Sequence, residues 1–413
     1  MTIKVTIDHL GAQGDGIANT QQGQVFVPFT LPGETVNAQP AGKKHEALAI
    51  LQASAERVEP PCRHFTACGG CQFQHWQAEP YRAWKRGLVV DALKARGIEA
   101  PVGDLVACGP GERRRVQLSA KHGDGGAVLG FHGPYSYSLF QVEECPVTDP
   151  RIVSALPQLR RLAAVIAGLS KPFHMIVTVT ETGLDIAIRK SGKLPEAERK
   201  RAAEIVLENR WARLSVDGEI VLEPVKPQIR FGKATVVPPP GGFLQAVPAI
   251  EAAMADEVVA HLGKAKQAAD LFAGAGAFAL RMAGNMQVHA VEGEAPALAA
   301  LDAGFRSTAG LKKVTVERRD LFQRPLLPRE LLAFDALVFD PPRAGAEAQA
   351  RHLAKAGIRK VAAVSCNPVT LARDLEILIA GGYRLTSVTP YDQFLFTAHV
   401  EAVALLEKPV KRR

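Results

Sequence analysis

Asp270-Leu271-Phe272-Ala273-Gly274-Ala275-Gly276 is the stretch that decides how the C-terminal part of this chain folds. The apolar run 268–272 reads as a buried strand, and a helical pattern opens after the glycines. Glycines at such a turn let the backbone approach a ligand closely at a helix N-terminus. The next apolar run, 288–291, ends on an acid, Glu292. A carboxylate roughly twenty residues beyond a glycine loop is placed to bind a ribose diol. Dinucleotide and S-adenosylmethionine sites share this logic. The third glycine of the dinucleotide fingerprint is missing here, which tilts the reading to S-adenosylmethionine. Asp320, after the run 314–316, could reach an adenine or cap a helix, and both readings stand.

Working outward, apolar runs at 268–272, 288–291, 314–316, 336–339 and 361–364 alternate with helical patterns. That texture predicts a parallel, doubly wound sheet with helices on both faces. Two further motifs follow strand ends, where such folds bind ligands: Asp340-Pro341-Pro342-Arg343 and Ser365-Cys366-Asn367-Pro368, the latter leading into a helix from about 370. Cys366 near a helix start, with Arg343 close in space, is expected to favour the thiolate. The alternative is a buried structural cysteine. A thiolate here solves a definite problem, because carbon 5 of uracil is a poor nucleophile. Thiolate addition at carbon 6 makes an enolate whose carbon 5 can attack a methyl sulfonium, and a base must then remove the carbon 5 proton. Glu401, in Ala398-His399-Val400-Glu401, is the candidate base; the plainer reading is a strand glutamate. Such chemistry needs an unstacked or flipped base.

The remainder divides at Pro238-Pro239-Pro240-Gly241-Gly242, a plain breaker. Residues 1–58 carry short strands near 3–7, 25–27, 35–38 and 47–51, punctuated by glycines. They predict a small closed barrel of the OB type, often used on single-stranded nucleic acid, or else an unspecialised or dimerisation module. Residues 59–240 contain a helix near 80–96 and strand-like runs at 175–179 and 184–188. Residues 241–413 form the catalytic domain, on which the helix near 80–97 is expected to pack. Cys62, Cys68 and Cys71, with Cys145 as a distant fourth, could ligate zinc or an iron–sulfur cluster, and spacing leaves both open. Cys108 fits no motif.

The 413 residues, 47% hydrophobic, suit two or three folded domains. No run has the length of a membrane span and no signal-peptide pattern opens the chain, so a cytoplasmic protein without membrane contact is expected, acting as a monomer. The net charge of +8 favours a polyanion partner. Part of it clusters at Arg113, Arg114 and Arg115, at Arg199, Lys200 and Arg201, and in the tail 408–413.

Together these motifs resemble the RNA uridine-5 methyltransferase family over nearly the whole chain. The resemblance is nearest to the 23S ribosomal RNA branch that carries a TRAM domain and an iron–sulfur cluster. It implies a Rossmann-like class I methyltransferase domain of the α/β class, an N-terminal OB-type TRAM barrel, and a central α+β iron–sulfur domain. It implies Cys366 as nucleophile and Glu401 as proton-abstracting base, and places Gln245, Phe272, Gly274, Gly276, Glu292, Asp320 and Asp340 around cofactor and base. Phe243 would stack on the flipped uracil, beside Asp340. A [4Fe–4S] cluster would sit on Cys62, Cys68, Cys71 and Cys145, and 23S ribosomal RNA would be the partner. Three positions depart from the family pattern: Ala277 and Val247 stand where Asn is usual, and Phe396 where His is common.

Three rivals remain. A radical S-adenosylmethionine enzyme would carry Cys-x3-Cys-x2-Cys, which this chain lacks. A transfer RNA methyltransferase shares the catalytic motifs but generally lacks the TRAM domain and cysteine cluster. A non-catalytic RNA-binding or assembly factor would have no use for Cys366 and Glu401.

Overall fold

The computed structural model describes residues 2–123, 126–167 and 172–409. Its C-terminal core is an eight-stranded sheet among the described residues. In spatial order its strands are Val314–Arg318, Gln287–Glu292, Gln267–Leu271, Ala336–Phe339, Lys360–Ser365, Glu401–Glu407, Arg384–Asp392 and Val106–Ala107. The five predicted strands are parallel to one another, and Glu401–Glu407 then runs antiparallel between Lys360–Ser365 and Arg384–Asp392.

Successive side chains of a strand face opposite ways, and both faces here are apolar. Ala268, Val288, Val338, Val364 and Val403 join one core with helix Pro248–Leu262. Ala269, Val291, Leu337, Ala363 and Ala402 join another with helices Glu347–Lys355 and Pro368–Ala380. Helix Ala78–Lys94 also packs there, through Val89 and Leu93. The hairpin Ile229–Phe231/Ala234–Val236 belongs to the first core, so the packing unit begins before the proline run at 238–240.

Among the described residues the central region is a seven-stranded, mostly antiparallel sheet with helices Pro150–Ala167 and Glu196–Glu208 packed into its core. At the N-terminus, two three-stranded sheets enclose Val5, Ile7, Ala18, Val27 and Val36. The expected closed barrel is therefore not one continuous ladder. The first strand changes partner at its end: Ile7 N–H donates to Glu34 O at 2.9 Å, and Asp8 N–H to Ile17 O at 2.8 Å. Among the described residues no helix is long and apolar enough to cross a membrane.

Candidate active site

The glycine loop begins where strand Gln267–Leu271 ends. Phe272, Gly274 and Gly276 all take positive φ (62°, 55° and 101°). The two glycines do different jobs. A Cβ on Gly276 would lie 2.8 Å from Leu301 Cγ and 3.0 Å from Leu280, whereas one on Gly274 would meet open space. Gly276 thus allows close packing beneath the loop, and Gly274 leaves its upper side clear for a ligand. The helix that follows is only Ala279–Met282, so little helix dipole stands behind the loop. Glu292 is tied to this turn, its carboxylate accepting from Gly274 N–H (2.9 Å) and Glu294 N–H (2.7 Å).

Asp320 is exposed, and its Oδ1 caps the turn after it by accepting from Phe322 N–H at 2.9 Å. The half-exposed Phe322 lies 5.4 Å from Phe272, ring to ring. Phe322 stands only two residues beyond Asp320, but its place against Phe272 follows from the fold and not from any motif.

The neighbouring strand ends carry the reactive groups. Ser365 pairs with Ala402, so the ladder brings Cys366 beside Glu401. Asn367 caps helix Pro368–Ala380 with its side-chain oxygen, while its amide donates to Arg343 O at 3.0 Å. Thr370 donates to the same carbonyl at 3.2 Å. The Pro-Pro-Arg turn and the cysteine turn are thereby locked together.

Gln245 Nε2 donates to Asp340 Oδ2 at 2.9 Å. Gln393 Nε2 donates to Gln245 Oε1 at 2.6 Å and to Glu401 Oε2 at 2.8 Å. Phe243 is 72% exposed at the rim, two residues from the buried Gln245.

Burial raises the carboxyl of Asp340 to about 7. Burial, then the Asp340 charge, pushes Glu401 well above the usual carboxylate range, against the hydrogen bond from Gln393. The Cys366 thiol is also pushed up, to about 11, by burial and by the Glu401 and Asp340 charges. Arg343 opposes this and loses. The expected stabilisation of the thiolate by Arg343 and the helix start is therefore outweighed: Cys366 rests as a thiol.

Cys62, Cys68, Cys71 and Cys145 line one cavity of about 480 Å3, together with Phe394, Leu395, Thr397 and His399. Loop 62–71 is pinned by Gly69 N–H to His132 O (3.0 Å) and Arg63 N–H to Glu144 (2.8 Å). Burial raises the thiols of Cys62, Cys68 and Cys71, the last to about 12. Among the described residues no group of three or more His, Cys, Asp or Glu side chains is arranged to hold a metal ion. Thiols are the donor type that zinc and iron–sulfur clusters take.

The basic clusters do not act as units. Arg114 is buried against Glu251 at 2.6 Å and donates to Gln245 O, so it supports the crevice instead of facing solvent. Arg199 pairs with Glu219 at 2.7 Å, and Arg201 with Glu198. Lys408 donates to Ala354 O and Ala356 O; residues 410–413 of the basic tail lie outside the described residues.

The sheet and its crevice have the architecture of a doubly wound α/β domain with a glycine loop at the strand ends. Family models match at residues 205–409, tRNA (Uracil-5-)-methyltransferase, and at residues 1–39, TRAM domain. A Mesorhizobium japonicum protein described as an uncharacterized RNA methyltransferase is 56% identical over 100% of both chains. The 23S rRNA (uracil(1939)-C(5))-methyltransferase RlmD of Halomonas elongata is 33% identical over 99% of this chain and 90% of its own. The crystal structure of Pyrococcus abyssi tRNA (uracil-54, C5)-methyltransferase, in complex with S-adenosyl-L-homocysteine, has the same fold. It superposes with a TM-score of 0.77 over 98% of this chain and 99% of that one, at 21% identity. The chain belongs to the RNA uracil-5 methyltransferase family.

Proposed function

We propose that this RNA methyltransferase acts on carbon 5 of a uridine in 23S ribosomal RNA, through a covalent adduct between Cys366 and carbon 6. The observation that carries this reading is that Cys366 and Glu401 flank the last pair of one ladder, Ser365 with Ala402, with Asp340 hydrogen-bonded into the same crevice. S-adenosylmethionine supplies an electrophilic methyl group when bound. Phe272, Gly274, Gly276, Glu292 and Asp320 would hold it, with Phe322 beside Phe272.

Phe243, Gln245 and Asp340 would receive the flipped uracil. Cys366 loses its proton and adds to carbon 6, and carbon 5 takes the methyl. Glu401 then removes the carbon 5 proton, and the carbon–sulfur bond breaks to release the thiolate. The burial that disfavours charge on Glu401 also makes it a strong base once deprotonated.

The 23S substrate is supported by the RlmD relative, which is similar over nearly the full chain. Transfer RNA is the second reading, favoured by the name of the family whose model matches residues 205–409. The test is incubation with labelled S-adenosylmethionine and 5-fluorouridine-containing 23S or transfer RNA. We expect a covalent complex with 23S RNA that is lost in Cys366→Ala. A complex with transfer RNA alone would select the second reading, and none with either would overturn both.

Cys62, Cys68, Cys71 and Cys145 would hold a [4Fe–4S] cluster, supported by their place around one cavity. Methyl transfer needs no electron, so its role would be to staple the central region and its RNA surface. If anaerobic removal of iron left folding and methylation unchanged, that role would be refuted.

A further inference from the structure

Gln393 is 1% exposed and sits just past strand Arg384–Asp392, in the turn that leads to Glu401. Its orientation is fixed from outside the crevice. The backbone N–H of Ala246 can only donate, and it meets Gln393 Oε1 at 2.8 Å. The Gln393 NH2 must then point the other way, to Gln245 Oε1 at 2.6 Å and Glu401 Oε2 at 2.8 Å. Both of its N–H groups are used. Gln245, its oxygen engaged, turns its own NH2 to Asp340 Oδ2 at 2.9 Å. The result is a chain of carboxyl, amide, amide and carboxyl in which donation runs outward from Gln393 to both ends, an orientation set by Ala246.

Two carboxyl groups in one buried crevice resist being charged together, and N–H groups aimed at a carboxylate favour its ionised form. Donation from Gln393 therefore bears on Glu401 at the moment it must accept a proton. Resting on the assignment of Glu401 as base, we propose that Gln393 is a positioning residue for the proton-abstraction step. Through that hydrogen bond it orients Glu401 and favours its carboxylate form. In that step the carbon 5–hydrogen bond breaks and the proton passes to Glu401. The electron pair forms the carbon 5–carbon 6 double bond as the carbon 6–sulfur bond breaks, returning the Cys366 thiolate.

5-Fluorouridine separates this step from the earlier ones, because it has no carbon 5 proton to remove. In Gln393→Met we expect turnover on ordinary RNA to fall about 10- to 100-fold. Covalent complex formation on 5-fluorouridine RNA should change less than about threefold, since it ends before that step. The methylated adduct should accumulate on ordinary RNA, and the acid limb of the turnover profile should move to higher pH. Gln393→Glu keeps the shape of the side chain, and thermal melts on both variants guard against misfolding. It still accepts from Ala246 but turns an oxygen on Glu401, and should be at least as impaired. A parallel fall of both rates, or unchanged turnover with an unmoved pH profile, would overturn the inference. Glu401→Gln is the control: failure to trap the adduct on ordinary RNA would overturn the base assignment, and this inference with it.

Discussion

The crevice and the cysteine cavity lie on either side of segment 392–401, and they are built by different means. In the crevice, Cys366 and Glu401 stand at the ends of paired strands, and the ladder register sets their approach. In the cavity, the thiols hang on irregular chain held by a few backbone bonds and by the surface pairs of Arg63 with Glu143 and Glu144. A site on strand ends is ordered before its ligand arrives; a site on loops converges when the ligand pays the ordering entropy.

The two are also joined. Gln72, next to Cys71, donates its N–H to Phe396 O (2.7 Å) and accepts from Ala398 N–H (2.9 Å). Its amide donates to Gln13 O of the N-terminal sheets at 2.7 Å.

The largest expected effect compares one thiol from each region. Cys366→Ser should lower methylation by on the order of 10⁴-fold while leaving cofactor affinity and thermal stability unchanged. Cys71→Ser should do the reverse, lowering the melting temperature and slowing methylation far less. Single-turnover rates and melting curves on both variants decide this. Equal rate losses would mean the cavity takes part in the chemistry.

The two loop glycines come next. Gly276→Ala combines positive φ with contacts at 2.8 Å and 3.0 Å, and should cost about 2–4 kcal/mol of stability. Gly274→Ala meets open space and should cost about 1 kcal/mol, from φ alone. Its methyl would nevertheless intrude where the cofactor is proposed to lie, so affinity for S-adenosylmethionine should fall more than stability does. Calorimetric binding beside thermal melts checks the split. If the two losses tracked each other, Gly274 would be a packing residue like Gly276.

The same contrast governs what the sequence discloses. The five parallel strands were legible because each is a short apolar run buried on both faces, and the reactive motifs because they follow strand ends. Gln393 was invisible: only the fold sets it between Gln245 and Glu401. The state of Cys366 was misread because the local neighbours Arg343 and Asn367 are visible in sequence, whereas the carboxyls of Asp340 and Glu401 converge on it only in the fold. Val106–Ala107 joins the catalytic sheet from far upstream, which no local pattern announces. In the cavity, cysteine spacing could name the donors but not the metal.

The raised groups of the crevice set a pH dependence. Cys366 and Glu401 must both be deprotonated to act, and burial holds each above its ordinary value. The active fraction should therefore grow as pH rises, and ionisation of Cys366 alone should raise single-turnover methylation at least about tenfold between pH 7 and 8. A rate that is flat there, or that falls, would show that bound RNA reverses the electrostatics of the crevice.

The smallest effect probes the cavity wall. Arg63 pairs with Glu143 at 3.1 Å and Glu144 at 3.3 Å, but its side chain is 61% exposed. Such pairs gain little over hydration and are screened by salt, so Arg63→Ala should cost no more than about 1 kcal/mol. Its consequence should be local, because Arg63 lies between Cys62 and the 143–145 segment that carries Cys145. Amide exchange in loop 62–71 should quicken, while exchange in strands Lys360–Ser365 and Glu401–Glu407 stays as it was. Faster exchange in those strands as well would mean that the Gln72 bridge makes cavity and crevice one cooperative unit, and the contrast between them would fail.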